Sequence, residues 1–228
     1  MIEKAKTVSV IITCYNLEKY LGECIDSLNA QTVLADEVIV IHDGCKDPKM
    51  WTGSDHYIRE KNLGVAHSRK EGVAISNGDY LLFVDGDDVL PENFIQEMKL
   101  TLSNKNCDIA YPSALLWSRW GTESPQPNAW FEPADKISLG IMGKWNQVVV
   151  TAMMRRKVYQ AVGDFDPTLE VFEDYDFWIR ALILKFKFKK AKTFLKYRQR
   201  TLGRNQAKQE LKAKIAKEIT DKYKNDLK

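Results

Sequence analysis

The sequence predicts an α/β fold: an open, mostly parallel twisted sheet flanked by helices, with a helical extension at the C-terminus. Three observations predict it. Short apolar, β-branched runs alternate with stretches of helical periodicity over the first 110 residues, the pattern of successive βαβ units. Those runs are apolar at nearly every position, as in strands covered on both faces. The 228 residues are 44% apolar and 29% charged, enough for one domain with a full hydrophobic core.

Thr7–Thr13 (TVSVIIT) is the first buried strand. Leu17–Ala30 carries apolar residues at Tyr20, Leu21, Cys24, Ile25 and Leu28, which is helical spacing. Glu37–Ile41 (EVIVI) is a second buried strand, ending at His42-Asp43-Gly44, and His56–Arg59 reads as a short third. A helix follows over Val65–Ser76. Tyr80–Val84 (YLLFV) is another buried strand and runs into Asp85-Gly86-Asp87-Asp88. Pro91 stands where a helix can begin, ahead of a periodic run from Phe94 to Leu102. Asp108–Tyr111 reads as a strand.

Beyond residue 111 the pattern loosens. Residues 112–135 hold Pro112, Pro125, Pro127 and Pro133 together with Trp117, Trp120 and Trp130, and read as a long aromatic loop of the kind that binds ligands. Val148–Met154 is a strand, Arg155–Val162 a short helix stopped by Gly163, and Asp174–Leu184 a helix. Phe186–Lys190 and Thr193–Arg198 read as a hairpin, and Gln206–Asp226 as a terminal helix.

The net charge of +3 does not mark a nucleic-acid binder, and no nucleic-acid partner is expected. The charge is nonetheless uneven. Residues 185–228 carry a balance of +12 and the rest −9. Within this basic region Leu211, Ile215, Ile219 and Tyr223 form a narrow apolar stripe among lysines. Such a helix can lie on an anionic membrane surface or dock on the domain. No apolar run approaches the ~20 residues that span a bilayer, and residues 1–6 do not read as a signal peptide. The expected location is cytoplasmic, and peripheral to the inner membrane face if 206–228 meets a membrane rather than the domain. Cys14, Cys24, Cys45 and Cys107 lie ten or more residues apart, with no CxxC pair. That spacing predicts reduced thiols, with neither a compact zinc site nor a disulfide framework. His42, His56 and His67 read as polar residues near loop ends.

The chemistry-bearing residues sit at strand ends. In open α/β sheets ligands bind beyond the carboxyl ends of the strands, and both Asp43 and the Asp85–Asp88 cluster occupy such ends. Hard carboxylate oxygens there suit Mg²⁺ or Mn²⁺ bridging protein and phosphates, although a solvent-facing acidic turn has the same sequence. Asn62-Leu63-Gly64 precedes a helix bearing Arg69, a place for an anionic group. Glu173-Asp174 opens a later helix. Phe177 and Trp178 beside it hint at an apolar pocket that could tune a catalytic carboxylate.

Taken in order, these segments resemble the inverting family 2 glycosyltransferases. Val10-Ile11-Ile12-Thr13-Cys14-Tyr15-Asn16 is similar to the family's opening strand. His42-Asp43-Gly44-Cys45-Lys46-Asp47 is similar to its Asp-Asp-Gly-Ser-x-Asp loop. Asn62-Leu63-Gly64 through Gly72 is similar to its Asn-x-Gly…Ala-Arg-Asn-x-Gly helix, and Gly78 through Asp88 to its DxD strand. Gly163-Asp164-Phe165-Asp166 and Glu173-Asp174 complete the set, over about residues 7–200. The resemblance implies a GT-A fold, Rossmann-like, with a catalytic domain at 1–205. Within it, 1–111 would bind the nucleotide sugar and 112–205 the acceptor. It implies that Tyr15 and Asp43 hold the base, usually uracil, that Arg69 reaches the base or diphosphate, and that Thr13, Asn62 and Gly86 line the same site. Asp87 would bind Mn²⁺ or Mg²⁺, Asp85 the metal or ribose, with Asp88 and Glu173 in support. Asp174 would be the general base toward a glycan, lipid-linked or other acceptor.

Thr13 stands where the family often has proline, His42 replaces its first loop acid, Cys45 its serine and Lys70 its asparagine. The Gln-x-x-Arg-Trp sequence of processive members is absent, which implies single additions. Two other readings compete. A nucleotidyltransferase would need a glycine-rich loop after the first strand, where Cys14-Tyr15-Asn16-Leu17-Glu18 stands instead. A non-catalytic nucleotide-sugar or glycan-binding module would not need Asp174.

Overall fold

The computed structural model describes residues 5–118, 126–199 and 206–226. The elements run β1 (Val8–Cys14), α1 (Glu18–Asn29), β2 (Glu37–Asp43), β3 (Asp55–Arg59), α2 (Val65–Ile75), β4 (Tyr80–Asp85) and α3 (Phe94–Ser103). They continue with β5 (Ile109–Ser118), β6 (Gln126–Phe131), α4 (Leu139–Met142), β7 (Met153–Arg155), α5 (Arg156–Val162), α6 (Glu173–Ile183), β8 (Phe188–Gln199) and α7 (Gln206–Lys222). These form one mixed eight-stranded sheet, with β3, β2, β1 and β4 adjacent and parallel, and β7 antiparallel to β4. β8 runs parallel along one edge of β5, while β7 and β6 pair antiparallel with its other edge. The expected parallel character thus belongs to the first half. The insertion of β7 makes the second half mixed.

Each residue of β1 is buried because both sheet faces are covered. Val8, Val10, Ile12 and Cys14 point to a core with α1, whose Leu21, Cys24, Ile25 and Leu28 form the buried stripe. The alternate residue Ile11 joins Ala66 of α2, Phe83 of β4 and Trp178 of α6 in a second core on the opposite face. The period-2 geometry of a strand divides one apolar run between two layers. Helix α2 lies so close to β1 that a Cβ on Gly72 would sit 2.3 Å from Ile11 Cγ2. Only glycine permits that approach.

Three expectations are corrected. Residues 112–135 are largely the β5–β6 hairpin rather than a long loop. Pro112 and Pro127 fit at irregularities: the β5–β8 register shifts between Tyr111 and Ser113, around Pro112, and the β5–β6 register between Leu116 and Trp117, where Pro127 pairs. A residue without an N–H is tolerated where the ladder is interrupted. Residues 186–198 form no hairpin, since β8 is one strand whose partner is β5. Of the strand expected at 148–154, only Met153–Arg155 pairs. The residues before it line a cleft.

Helix α7 docks on the domain. Ile215, Ile219 and Tyr223 are buried in the second core, and Leu211 at the start of the stripe is 37% exposed. A buried carboxylate anchors it: Asp176 of α6 accepts hydrogen bonds from Tyr223 Oη (2.7 Å), Lys222 Nζ (2.9 Å) and Arg180 Nε (2.8 Å). The apolar stripe is therefore occupied by protein, the docking alternative of the two expected for it. No helix among the described residues is long and apolar enough to cross one.

Candidate active site

The carboxyl ends of β1, β2 and β4 open on a cleft of about 640 Å³, closed on its far side by the start of α6 and the segment 146–151. That volume suits a small-molecule ligand with few polar anchors. Register brings the walls together. Thr13 lies opposite Asp85, and Cys14 opposite His42.

Arg69, 2% exposed, is the central cation. Its Nη1 donates to Glu173 Oε1 at 2.6 Å and its Nη2 to Asp85 Oδ1 at 3.1 Å, with the guanidinium over the Phe165 ring. Burial opposes the charge, but Glu173 and then Asp85 outweigh it and hold the group above its ordinary pKa. One arginine of α2 thus ties the end of β4 to the start of α6, its bond to Glu173 spanning 104 residues of sequence. Thr13 Oγ1 donates to the same Asp85 oxygen at 3.2 Å.

Asp43 lines the cleft with both oxygens engaged: Oδ1 accepts from Leu63 N and Oδ2 from Gly64 N, each at 2.8 Å. It shapes the Asn62–Gly64 turn, where Asn62 Oδ1 also accepts from Gly64 N at 2.9 Å. Gly64 takes φ +94° there, at the N-terminus of α2. Tyr15 lines the cleft beside this wall and is 46% exposed. Gly86 is buried beneath the wall, donating to Thr13 O at 3.0 Å.

Asp87 and Asp88 are both buried. Asp88 Oδ1 accepts from Arg198 N at 3.1 Å, while its Oδ2 has no hydrogen-bond partner. Burial, then Asp85 and Asp87, push the Asp88 carboxyl well above the usual range. Arg198 of β8 clamps the acidic turn from below through Asp87 O (2.8 Å) and reaches Glu23 Oε2 (2.5 Å). The Tyr197-Arg198 pair therefore divides its work, with Arg198 structural and Tyr197 lining the cleft. Crowded carboxylates around an unpartnered buried oxygen fit a hard divalent cation, Mn²⁺ or Mg²⁺. Among the described residues no three carboxylates converge into a complete cage.

Across the cleft, Asp174 stands in the first turn of α6, entered through Phe172 at φ +65°. Its Oδ1 accepts from Tyr175 N at 2.8 Å and its Oδ2 from Asn146 Nδ2 at 3.1 Å. Burial, then the Glu173 charge, raise its pKa to about 7 against the opposing pull of Arg69. A carboxylate with a pKa near neutrality is suited to take a proton in a transition state.

All the sequence-predicted residues thus gather at this cleft or directly beneath it. Sequence reading missed Asn146, which holds Asp174, and the cleft position of Lys212 from α7. Asn146 lies in a stretch without strand or helix periodicity, and Lys212 is one lysine among many. Trp130 does not reach this cleft. It borders a shallower cavity with Lys190 and Phe194, stacked edge-on against Phe194. Trp120 and the side chain of Trp117 lie outside the described residues.

The model of the Glycosyl transferase family 2 matches residues 9–163. An uncharacterized glycosyltransferase of Methanocaldococcus jannaschii is 29% identical over 208 residues, covering 84% of this chain and 70% of that protein. GlyA of Streptococcus pneumoniae, a glycosyltransferase, is 32% identical over 111 residues, 45% of this chain and 16% of GlyA. The chain spans less than two-fifths of GlyA and of its S. pneumoniae relative GlyG. Among solved structures, Staphylococcus aureus TarS 1–349 in complex with UDP superposes with a TM-score of 0.67 at 21% identity, over 85% of this chain and 60% of that one. The TarS complex with UDP-GlcNAc gives 0.67 at 22% identity, over 85% and 59%. The shared fold is the GT-A fold.

Proposed function

Since the chain belongs to glycosyl transferase family 2, we propose that it moves a sugar from a nucleoside diphosphate sugar to an acceptor hydroxyl, with inversion at the anomeric carbon. The observation that carries this reading is the position of Asp174, a carboxylate of near-neutral pKa facing the acidic turn at the end of β4 across one cleft. Asp174 takes the proton of the acceptor hydroxyl as that oxygen attacks the anomeric carbon. The bond from that carbon to the diphosphate breaks, and the diphosphate oxygen leaves with the electron pair. A single displacement needs no enzyme nucleophile. Asn146 and the Tyr175 amide hold the base still, and Arg69 fixes the distance between the donor and base walls.

Asp87, with Asp85 and with Asp88 behind them, would hold Mn²⁺ or Mg²⁺, which neutralises charge on the leaving diphosphate. Uridine is the preferred base, supported by the exposed Tyr15 ring beside Asp43 and by the UDP complexes of the TarS fold relative. The acceptor is a glycan or a lipid-linked molecule entering over Phe131, Asn146 and residues 148–151.

The test is calorimetric titration of UDP with and without Mn²⁺, on the wild type and on Asp87→Ala. Binding that requires the metal and disappears in the variant supports the reading. Failure of UDP, GDP, CDP and dTDP alike would overturn it in favour of a non-catalytic module.

A further inference from the structure

The fold brings together three soft ligands that lie far apart in sequence. Cys14 ends β1, His42 pairs with it in register on β2, and Cys45 sits in the turn after β2. Ligand atoms of all three lie within 4.8 Å of one another. Cys45 Sγ is 3.6 Å from Cys14 Sγ and 3.1 Å from Cys14 O. Two thiolates on a tetrahedral Zn²⁺ lie about 3.8 Å apart, given Zn–S bonds of about 2.3 Å, so the sulfur pair already spans such an edge.

The histidine is prepared in the same way. His42 is fully buried, its Nε2 bonded to His56 Nδ1 at 2.9 Å and its Nδ1 without a partner. His56 Nε2 meets the Trp51 carbonyl at 3.2 Å and Ser54 Oγ at 2.9 Å. With a proton on His56 Nε2, donated to either oxygen, His42 Nε2–H donates to His56. His42 Nδ1 is then left with a bare lone pair. Metal-bound histidines are oriented by such an outer hydrogen bond on the second ring nitrogen. Trp51 N also approaches His56 Nε2, at 3.1 Å, so the opposite tautomer is served as well.

We propose that Cys14, His42 and Cys45 form a thiolate–imidazole site for Zn²⁺, separate from the Asp85–Asp88 turn. Glu18, in the first turn of α1 and close enough for its charge to act on Cys45, or a water completes the fourth position. The ligand sets keep the two metals apart: sulfur and imidazole select Zn²⁺, and carboxylates select Mn²⁺ or Mg²⁺. The site joins the end of β1, just before Tyr15, to the end of β2, just before Asp43. Occupancy would stiffen the wall on which the nucleobase is proposed to rest.

The experiment uses the full chain, reduced with a phosphine and freed of metal, with Co²⁺ as the probe. Expected are one equivalent bound, thiolate-to-cobalt charge transfer in the near ultraviolet, tetrahedral ligand-field bands, and displacement by Zn²⁺ but not by Mn²⁺. Cys45→Ser places a smaller hydroxyl at a half-exposed position, and its far-ultraviolet circular dichroism is the control for folding. Affinity should fall about 100-fold or more in this variant, and about 10-fold in His56→Gln, which keeps all three ligands but removes the imidazole that orients His42. Absence of the charge-transfer band in the reduced wild type would overturn the proposal. So would a band that survives unchanged in folded Cys45→Ser. A Cys14–Cys45 disulfide in air, with no Co²⁺ uptake after reduction, would also overturn it.

Discussion

Replacing Asp174 with Asn should abolish turnover and, above neutrality, stabilise the protein. The native carboxyl has a pKa of about 7 against an ordinary 3.8, so the folded state binds a proton that the unfolded chain releases. A carboxyl raised in this way loses stability as pH climbs through the window between those values. One pKa unit is about 1.4 kcal/mol, which sets a ceiling of about 4 kcal/mol for the full cost of ionising Asp174 in place. Between pH 5 and pH 8 the wild type should therefore lose about 1–3 kcal/mol relative to Asp174→Asn, which has no charge to bury. A constant penalty acts against the variant. The amide can accept from Tyr175 N as Asp174 Oδ1 does, but its NH₂ would face the NH₂ of Asn146, whose own oxygen is taken by Val148 N. One frustrated hydrogen bond costs about 1 kcal/mol. The penalty does not depend on pH, so the slope and not the offset reports the charge.

Urea denaturation of both proteins at pH 5, 6, 7 and 8 measures that slope, and initial rates of transfer over the same range measure the base. The wild-type rate should rise with pH through about 7, and the variant should lose at least about 100-fold, the lower end of general-base catalysis. A stability difference that stays flat from pH 5 to pH 8 would refute the assignment of a partly buried, proton-poised carboxyl. Turnover within tenfold of wild type would refute its role as base.

Two further predictions concern the scaffold. Ile219→Ala should cost about 2–4 kcal/mol in urea denaturation, as for a buried aliphatic residue, whereas Leu211→Ala, eight residues away on the same stripe but 37% exposed, should cost under about 1; equal small losses would mean that α7 is not docked. Gly72→Ala should lower stability by about 1–2 kcal/mol, because the overlap with Ile11 Cγ2 outweighs the gain in helix propensity of about 1. Combining it with Ile11→Ala should recover part of that loss in a double-mutant cycle, and a stabilised single variant would sink the packing argument.

Legibility in the sequence followed the range of the forces at work. The parallel half was readable because β1, β2 and β4 are each buried on both faces, so their apolar runs had nothing to compete with. The mixed half was not, because β5 and β6 carry prolines that local rules assign to loops. Their tolerance depends on bulges that only the partner strands reveal. The pairing of β8 with β5, across about 80 residues, leaves no local trace, while the alternation in 186–198 also fits a hairpin. The acidic clusters were legible as a site because a parallel sheet sends its strand ends to one side whatever their separation in sequence. Asn146 depends on a nonrepetitive loop meeting a helix start, and no periodicity encodes that contact.

The same geometry lies beyond what cysteine spacing can show. Spacing rules find metal sites built within one turn or hairpin, where ligands two to four residues apart converge. Cys14 and Cys45 are 31 residues apart, yet the β1–β2 register and the turn after Asp43 bring their sulfurs to 3.6 Å. In a parallel sheet each strand end and the turn behind it become neighbours, so ligand sets should be sought among strand ends. Applied to this chain, that criterion returns two clusters at one end of the sheet: carboxylates after β4, and thiols with an imidazole after β1 and β2. Residues that sit beside each other for reasons of topology are thus separated by ligand softness, which is why the two cations proposed for them can be tested independently.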